Sequence, residues 1–206
     1  TYLVLEDLNK TVNEFHSDSD AVHHKNLGNK YRNQKKYIES IEEYTKAIAL
    51  DPNYTWAYYN RGSSYAELGE YKEAIKDCDK AIELDPNFAW AYSNRGFSYG
   101  NLGKYEEVIK DYNKAIALDP NYAWVYYNRG VSYDNLGKYE EAIKDYNKAI
   151  ALDPNYAWAY NNRSNTYHNL GRYEEAIADL TKAIELDPEE KLYRDNLEIV
   201  KKIMEG

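Results

Sequence analysis

Residues 89–122 read AWAYSNRGFSYGNLGKYEEVIKDYNKAIALDPNY, and residues 123–156 repeat that string with five residues changed. Pro52, Pro86, Pro120, Pro154 and Pro188 fall 34 residues apart, and Trp56, Trp90, Trp124 and Trp158 keep the same step. A fixed period of this length marks a repeat array, in which each unit buries its apolar face only against its neighbours. Within 89–122, Tyr92, Gly96, Tyr99 and Leu102 stand at i, i+4, i+7 and i+10, a helical stripe. That helix stops at Gly103, the residue type suited to a left-handed cap. A second helix through KYEEVIKDYNKAIAL offers Tyr105, Val108, Ile109, Tyr112, Ala115, Ile116 and Leu118 as the matching face. It ends at Asp119-Pro120, where proline cannot continue a helix. Small Gly96 and Ala115 let the two backbones approach. The expected fold is therefore an all-α solenoid of helix-turn-helix units, which builds a long concave surface rather than a catalytic pocket.

This pattern resembles the tetratricopeptide repeat. The family's central Gly, Leu-Gly turn, Ala-Ile pair and Leu-Asp-Pro ending stand here as Gly62, Leu68-Gly69, Ala74-Ile75 and Leu84-Asp85-Pro86. The set recurs one and two periods on, with Val108 where Ala is usual. The resemblance implies a right-handed superhelix of five units at 21–54, 55–88, 89–122, 123–156 and 157–190. Unit one departs from the pattern at Val22, Lys35 and Ser40, and unit five carries Ser164 for the central Gly. Atypical end units suit a solenoid, because they meet solvent on one side. The flanks read as helical caps. Residues 191–206 align Tyr193, Leu197, Val200 and Met204 as a solvating helix. Residues 1–20 carry Leu5, Leu8, Val12 and Phe15 on a stripe before a polar linker, either a lid or the tail of a further region.

A formal net charge of -9 leaves no basic stripe to displace counterions from phosphates, which argues against nucleic acid. Cys78 is the single cysteine, so no intrachain disulfide framework exists, and this weakly favours the cytoplasm. No apolar run has the length of a membrane span, and no signal peptide is visible. The chain begins at Thr1 rather than Met, as expected of a segment cut from something longer.

Opposite the core stripe of each first helix lies a second row: Trp56, Asn60, Ser63, Glu67; Trp90, Asn94, Phe97, Asn101; Trp124, Asn128, Val131, Asn135; Trp158, Asn162, Asn165, Asn169. In the family resembled, first helices line the concave groove. An amide side chain offers donors and an acceptor and so grips peptide backbone without reading sequence. First helices about 10 Å apart would present one such amide to every third residue of an extended peptide. The resemblance carries that backbone-holding role to Asn60, Asn94, Asn128 and Asn162, with Trp56, Tyr59, Trp90, Ser93, Phe97, Trp124, Tyr127, Val131 and Trp158 completing the groove. Alternatively, the asparagines bond within their own helices, and the tryptophans pack on Tyr54, Phe88, Tyr122 and Tyr156 to stack the repeats. Units three and four differ at Ala91/Val125, Ser93/Tyr127, Phe97/Val131, Gly100/Asp134 and Val108/Ala142. The middle three form one i, i+4, i+7 stripe on the groove side, as a changing specificity surface on a constant frame would.

Chaperone-binding members of the family clamp a terminal carboxylate with basic residues and asparagines. Lys25, Asn29 and Asn60 match part of that clamp, but Trp90 and Asn94 occupy two places that should be basic. Without those charges a carboxylate loses its charge-assisted donors. His23-His24 point about 100° apart on a helix and make a poor metal pair. Cys78 stands where other units place tyrosine, as a small core residue. Arg61, Arg95, Arg129 and Arg163 read as seam residues whose stems pack while the guanidinium reaches an acid. The paired glutamates (Glu106-Glu107, Glu140-Glu141, Glu174-Glu175) read as a solvated face. No phosphate loop, nucleophile elbow, cofactor motif or metal spacing is seen. The expected function is a non-catalytic scaffold or adaptor that binds an extended protein segment. The alternatives are a self-assembling module and the targeting segment of a larger enzyme or receptor.

Overall fold

The chain's computed structural model describes residues 19–205. The expected N-terminal stripe of Leu5, Leu8, Val12 and Phe15 lies outside the described residues. Every described element is an α-helix. The chain packs as two compact units that part between Leu102 and Gly103. The N-terminal unit holds α1 (residues 19–33), α2 (Tyr37–Leu50), α3 (Thr55–Glu67), α4 (Tyr71–Leu84) and α5 (Ala89–Asn101). The C-terminal unit holds α6 (Tyr105–Leu118), α7 (Ala123–Asn135), α8 (Tyr139–Leu152), α9 (Ala157–Asn169), α10 (Tyr173–Leu186) and α11 (Lys191–Glu205).

The turns follow from two short motifs. Within a repeat, the first helix closes on a left-handed residue: Gly69 has φ 77, Gly103 71, Gly137 70 and Gly171 73. Beyond that residue the chain bonds back to the helix, as Glu70 N–H does to the Tyr65 carbonyl at 2.9 Å and Lys138 N–H to Tyr133 at 2.9 Å. This six-to-one bond satisfies a carbonyl the helix end would leave bare. Lys35 takes the same conformation at φ 58 without being glycine. Between repeats, Asp85 N–H bonds the Ala81 carbonyl at 2.9 Å to finish α4. Its Oδ1 then accepts the Asn87 N–H at 3.0 Å. Asp51, Asp119 and Asp153 close their turns on Asn53, Asn121 and Asn155 in the same way. The aspartate of each Asp-Pro-Asn run thus both ends a helix and holds the following turn.

α3 packs on α4 in the N-terminal unit, as α7 does on α8 and α9 on α10 in the C-terminal unit. Glycine makes two of the closest seams possible. A Cβ on Gly28 would stand 2.6 Å from the Tyr44 ring, and one on Gly130 would stand 2.8 Å from the Tyr146 ring. Tyr44 and Tyr146 are fully buried. In the last repeat Ser164 replaces the glycine and Leu180 replaces the tyrosine, both buried, so a smaller partner makes room for a side chain. Cys78 does the same opposite Gly62, where an added Cβ would meet its Sγ at 3.5 Å. Arg61 grips Asp77 at 2.8 and 2.7 Å, and Arg129 grips Asp145 with two bonds of 2.6 Å. Arg163 holds Asp179 likewise, and Arg95 reaches Asp79 at 2.5 Å. The arginine row is therefore a set of seam pairs. The paired glutamates all point to solvent.

α11 packs against α10, burying Tyr193 and Val200 and drawing Leu197 partly in. Met204, expected on the same face, is exposed, as are Leu192, Ile199 and Ile203, which form a second apolar stripe.

Candidate functional site

In the N-terminal unit, α1, α3 and α5 line a cavity of about 440 Å³. α1 supplies Lys25, Asn29 and Arg32, α3 supplies Trp56, Tyr59 and Asn60, and α5 supplies Trp90. The three α1 residues stand at i, i+4 and i+7, so one helix face carries all of them. Trp56 and Trp90 keep 49% and 45% of their surface exposed. Trp56 also stacks edge-on against Phe88 at 4.7 Å and Tyr59 at 5.8 Å. Packing and exposure thus coexist on one indole, so the two roles weighed for the tryptophans are not exclusive.

The hydrogen-bond state of this cavity is uniform. Tyr44 donates its hydroxyl to Asn29 Oδ1 at 2.7 Å. Burial pushes that phenol up to about 12, so it keeps its proton through the ordinary range. Arg32 donates to Asn60 Oδ1 at 3.3 Å. Both amides are therefore engaged through oxygen, and their nitrogens remain as donors. Among the described residues Lys25 bonds only the neighbouring Asn26 Oδ1, at 2.8 Å, and no carboxylate lines the cavity. The site presents donors, two of them cationic, beside three aromatic rings. Such a lining suits a ligand that is rich in acceptors and partly apolar.

Elsewhere the expected groove residues are occupied differently. Asn94 donates to Ser63 Oγ at 3.0 Å, and Asn128 to the Trp124 carbonyl at 2.8 Å. Asn162 donates to the Tyr127 hydroxyl at 2.9 Å. Its oxygen accepts from Asn161, whose own oxygen accepts from Asn196 of α11. Three of the four expected backbone-holding asparagines thus spend an amide hydrogen inside the chain, and Asn60 alone does not. Ser93 corrects an expectation: at 3% exposure, with its hydroxyl on the Ala89 carbonyl at 3.0 Å, it offers no groove surface. A small hydroxyl on a helix folds back onto the preceding turn. Phe97 and Val131 are partly buried, Phe97 lying edge-on to Tyr71. Trp124 is partly buried beside Tyr122 and Tyr112, while Trp158 stays 42% exposed next to Tyr193. Arg32 was missed by sequence reasoning. The signal was present, since it continues the Lys25–Asn29 face at i+7.

His24 bonds Glu43 at 2.6 Å. Among the described residues there is no cluster of metal-ligating side chains and no helix long and apolar enough to cross a membrane.

Models of the tetratricopeptide repeat match residues 55–88 and 123–156, and 78–110 and 145–178; a TPR repeat model matches 28–69 and 101–137. No curated protein matches in sequence. Among solved structures, the crystal structure of MamA is 30% identical, with 79% of this chain and 95% of that one covered, at TM-score 0.73. YrrB, described as a TPR protein with an unusual peptide-binding site, is 25% identical over 91% of this chain and 95% of its own, at TM-score 0.73. TTC0263, a thermophilic TPR protein of Thermus thermophilus, shares the fold at 21% identity and TM-score 0.68, over 87% of this chain and 98% of its own.

Proposed function

The chain belongs to the tetratricopeptide repeat family, and from that premise we propose that it is a non-catalytic adaptor holding an extended segment of a partner protein against its first helices. The observation that carries this is the donor-lined cavity of the N-terminal unit, where Asn29, Asn60, Lys25 and Arg32 face the same space as exposed Trp56 and Trp90. Exposed indoles beside unspent donors are what recognition surfaces concentrate. YrrB, a protein of the same fold, is described as having a peptide-binding site. The test is capture of a partner by the parent chain and by Trp56→Ala/Trp90→Ala, both first matched for helicity by circular dichroism. Loss of a partner segment by the variant alone supports the adaptor role. Equal capture by both would move recognition away from the cavity.

A second possibility, self-association, is favoured by one observation: Leu192, Ile199 and Ile203 leave an exposed apolar stripe along α11. Light scattering of Ile199→Glu/Ile203→Glu beside the parent decides it. A concentration-dependent mass in the parent that the variant loses would make α11 an interface, and identical masses would remove this possibility.

A further inference from the structure

Lys25, Asn29 and Arg32 occupy the repeat positions that hold Ser93, Phe97 and Gly100 in unit three and Tyr127, Val131 and Asp134 in unit four. These are the three positions at which the otherwise near-identical units differ on the first helix's inner side. In the first repeat that variable row is cation, amide, cation. We propose that the cavity of the N-terminal unit selects an internal acidic segment, with two carboxylate side chains two or three residues apart and an apolar residue between them. This inference rests on the adaptor role proposed above.

The spacing follows from helix geometry. Seven residues of α1 separate the two cations by about 10 Å along its axis. One carboxylate cannot span that distance, whereas residues two or three apart in an extended peptide lie about 7–10 Å apart. Among the described residues the two charges also have no acidic partner. Arg61 and Arg95, the other arginines of this unit, each meet an aspartate. Lys25 and Arg32 make no ion pair among the described residues and instead touch only amide oxygens. In a chain of net charge -9 an acidic partner is disfavoured overall, so two cations that make no ion pair among the described residues and face one cavity favour its landing there. In the same cavity, the indoles of Trp56 and Trp90 give an apolar residue its contact.

The test uses fluorescence anisotropy with the full chain and four labelled peptides. Three are blocked at both termini and contain Glu-Phe-Ala-Glu, Gln-Phe-Ala-Gln or Glu-Ala-Ala-Glu within a Gly-Ser frame. The fourth is the Gln peptide with a free C-terminal carboxylate. The doubly acidic Phe peptide should bind at least about tenfold tighter than its Gln counterpart. Binding should weaken as salt rises from about 50 mM to about 500 mM. Arg32→Gln and Lys25→Gln should each remove most of that preference, Arg32→Lys should restore part of it, and Lys76→Gln, at an exposed cation outside the cavity, should leave it unchanged. Equal binding of the Glu and Gln peptides, both lost in Trp56→Ala/Trp90→Ala, would overturn the acidic preference and keep the adaptor role. Binding of the free-carboxylate peptide alone would overturn the internal-segment assignment. Failure of all four peptides to bind would overturn the inference and count against the adaptor role too.

Discussion

The first and fourth repeats are built on one frame and put two of its positions to opposite uses. In the first, Lys25, Asn29 and Arg32 face a cavity with donors unspent. In the fourth, Tyr127 accepts from Asn162 and stacks on Tyr156 at 4.8 Å, while Asp134 Oδ2 accepts from Tyr146 at 3.0 Å and Thr166 at 2.7 Å. Arg32 and Asp134 are the same repeat position, one a cation turned to the cavity and the other an acid fastened to α8 and α9. A side chain at this place therefore either faces an open cavity or locks neighbouring helices. Its hydrogen-bond account, rather than its place on the helix, says which.

The comparison breaks most sharply at the seam pairs. Asp145→Ala takes the buried carboxylate from a part-buried Arg129, leaving it Asn113, and should cost about 3 kcal/mol. The corresponding acid of the first repeat, Glu43, is shared between His24 and Lys46, and Lys46 is half exposed. Glu43→Ala should cost only about 1 kcal/mol. Urea melts of the two variants check this, and equal losses would mean that the first repeat is held as the fourth is. Next in size is the glycine seam, where the two repeats should agree. Gly28→Ala and Gly130→Ala each drive a Cβ into a buried tyrosine ring and should lose about 1–3 kcal/mol. Gly62→Ala, opposite Cys78, has its nearest obstacles at 3.2 Å and gains helix propensity, so thermal melts should place it within about 1 kcal/mol of the parent. A loss at Gly62 equal to that at Gly130 would show that ring size does not set the tolerance.

Most of the fold was legible because its determinants are local and recur in phase. Proline and glycine punctuate the helices, and small residues mark where two backbones approach. The Asp-Pro-Asn turns needed side-chain geometry, since sequence alone does not tell a helix-breaking Asp-Pro from one whose carboxylate also closes the next turn. The site was legible only in outline. Trp56, Asn60 and Lys25, three of the residues expected to meet a ligand, line one cavity. Whether an asparagine keeps its amide hydrogens depends on which groups other helices bring to it, and Asn60 and Asn29 meet donors there, Arg32 and Tyr44. Asn94 and Asn162 instead give up a hydrogen to side chains 31 and 35 residues away. No periodicity in the chain encodes those partners.

The turn between α1 and α2 offers a smaller test of the same pair of repeats. Lys35 is the one non-glycine residue with positive φ among the described residues, and Gly137 takes its place in the fourth repeat. A Cβ in the left-handed region crowds the following carbonyl at a cost of about 1–2 kcal/mol, partly offset because glycine is freer when unfolded. Lys35→Gly should therefore stabilise by roughly 0.5–1 kcal/mol, and Gly137→Ala should cost a similar amount. Chemical denaturation measures both. No gain in Lys35→Gly would mean that the lysine's own contacts repay the strained backbone.

The smallest effect concerns Asp134 and turns on pH. Its Oδ1 is buried with no hydrogen-bond donor, and burial holds the carboxyl above the usual aspartate range despite the two hydroxyls on Oδ2. A carboxyl raised on folding favours the protonated native form. Its contribution is therefore best at pH below the unfolded value of about 3.9 and falls as pH rises through the folded one. At neutral pH the ionised group opposes folding slightly, while its Oδ2 still fastens α7 to Tyr146 and Thr166. Asp134→Asn keeps an acceptor for those hydroxyls and removes the charge. It should raise Tm by about 1–2 °C near neutrality, with the gain shrinking toward pH 4. A gain independent of pH would trace to packing rather than to the buried charge. A loss at neutral pH would show that the ionised carboxylate, through its stronger bonds to the two hydroxyls, is what locks the fourth repeat.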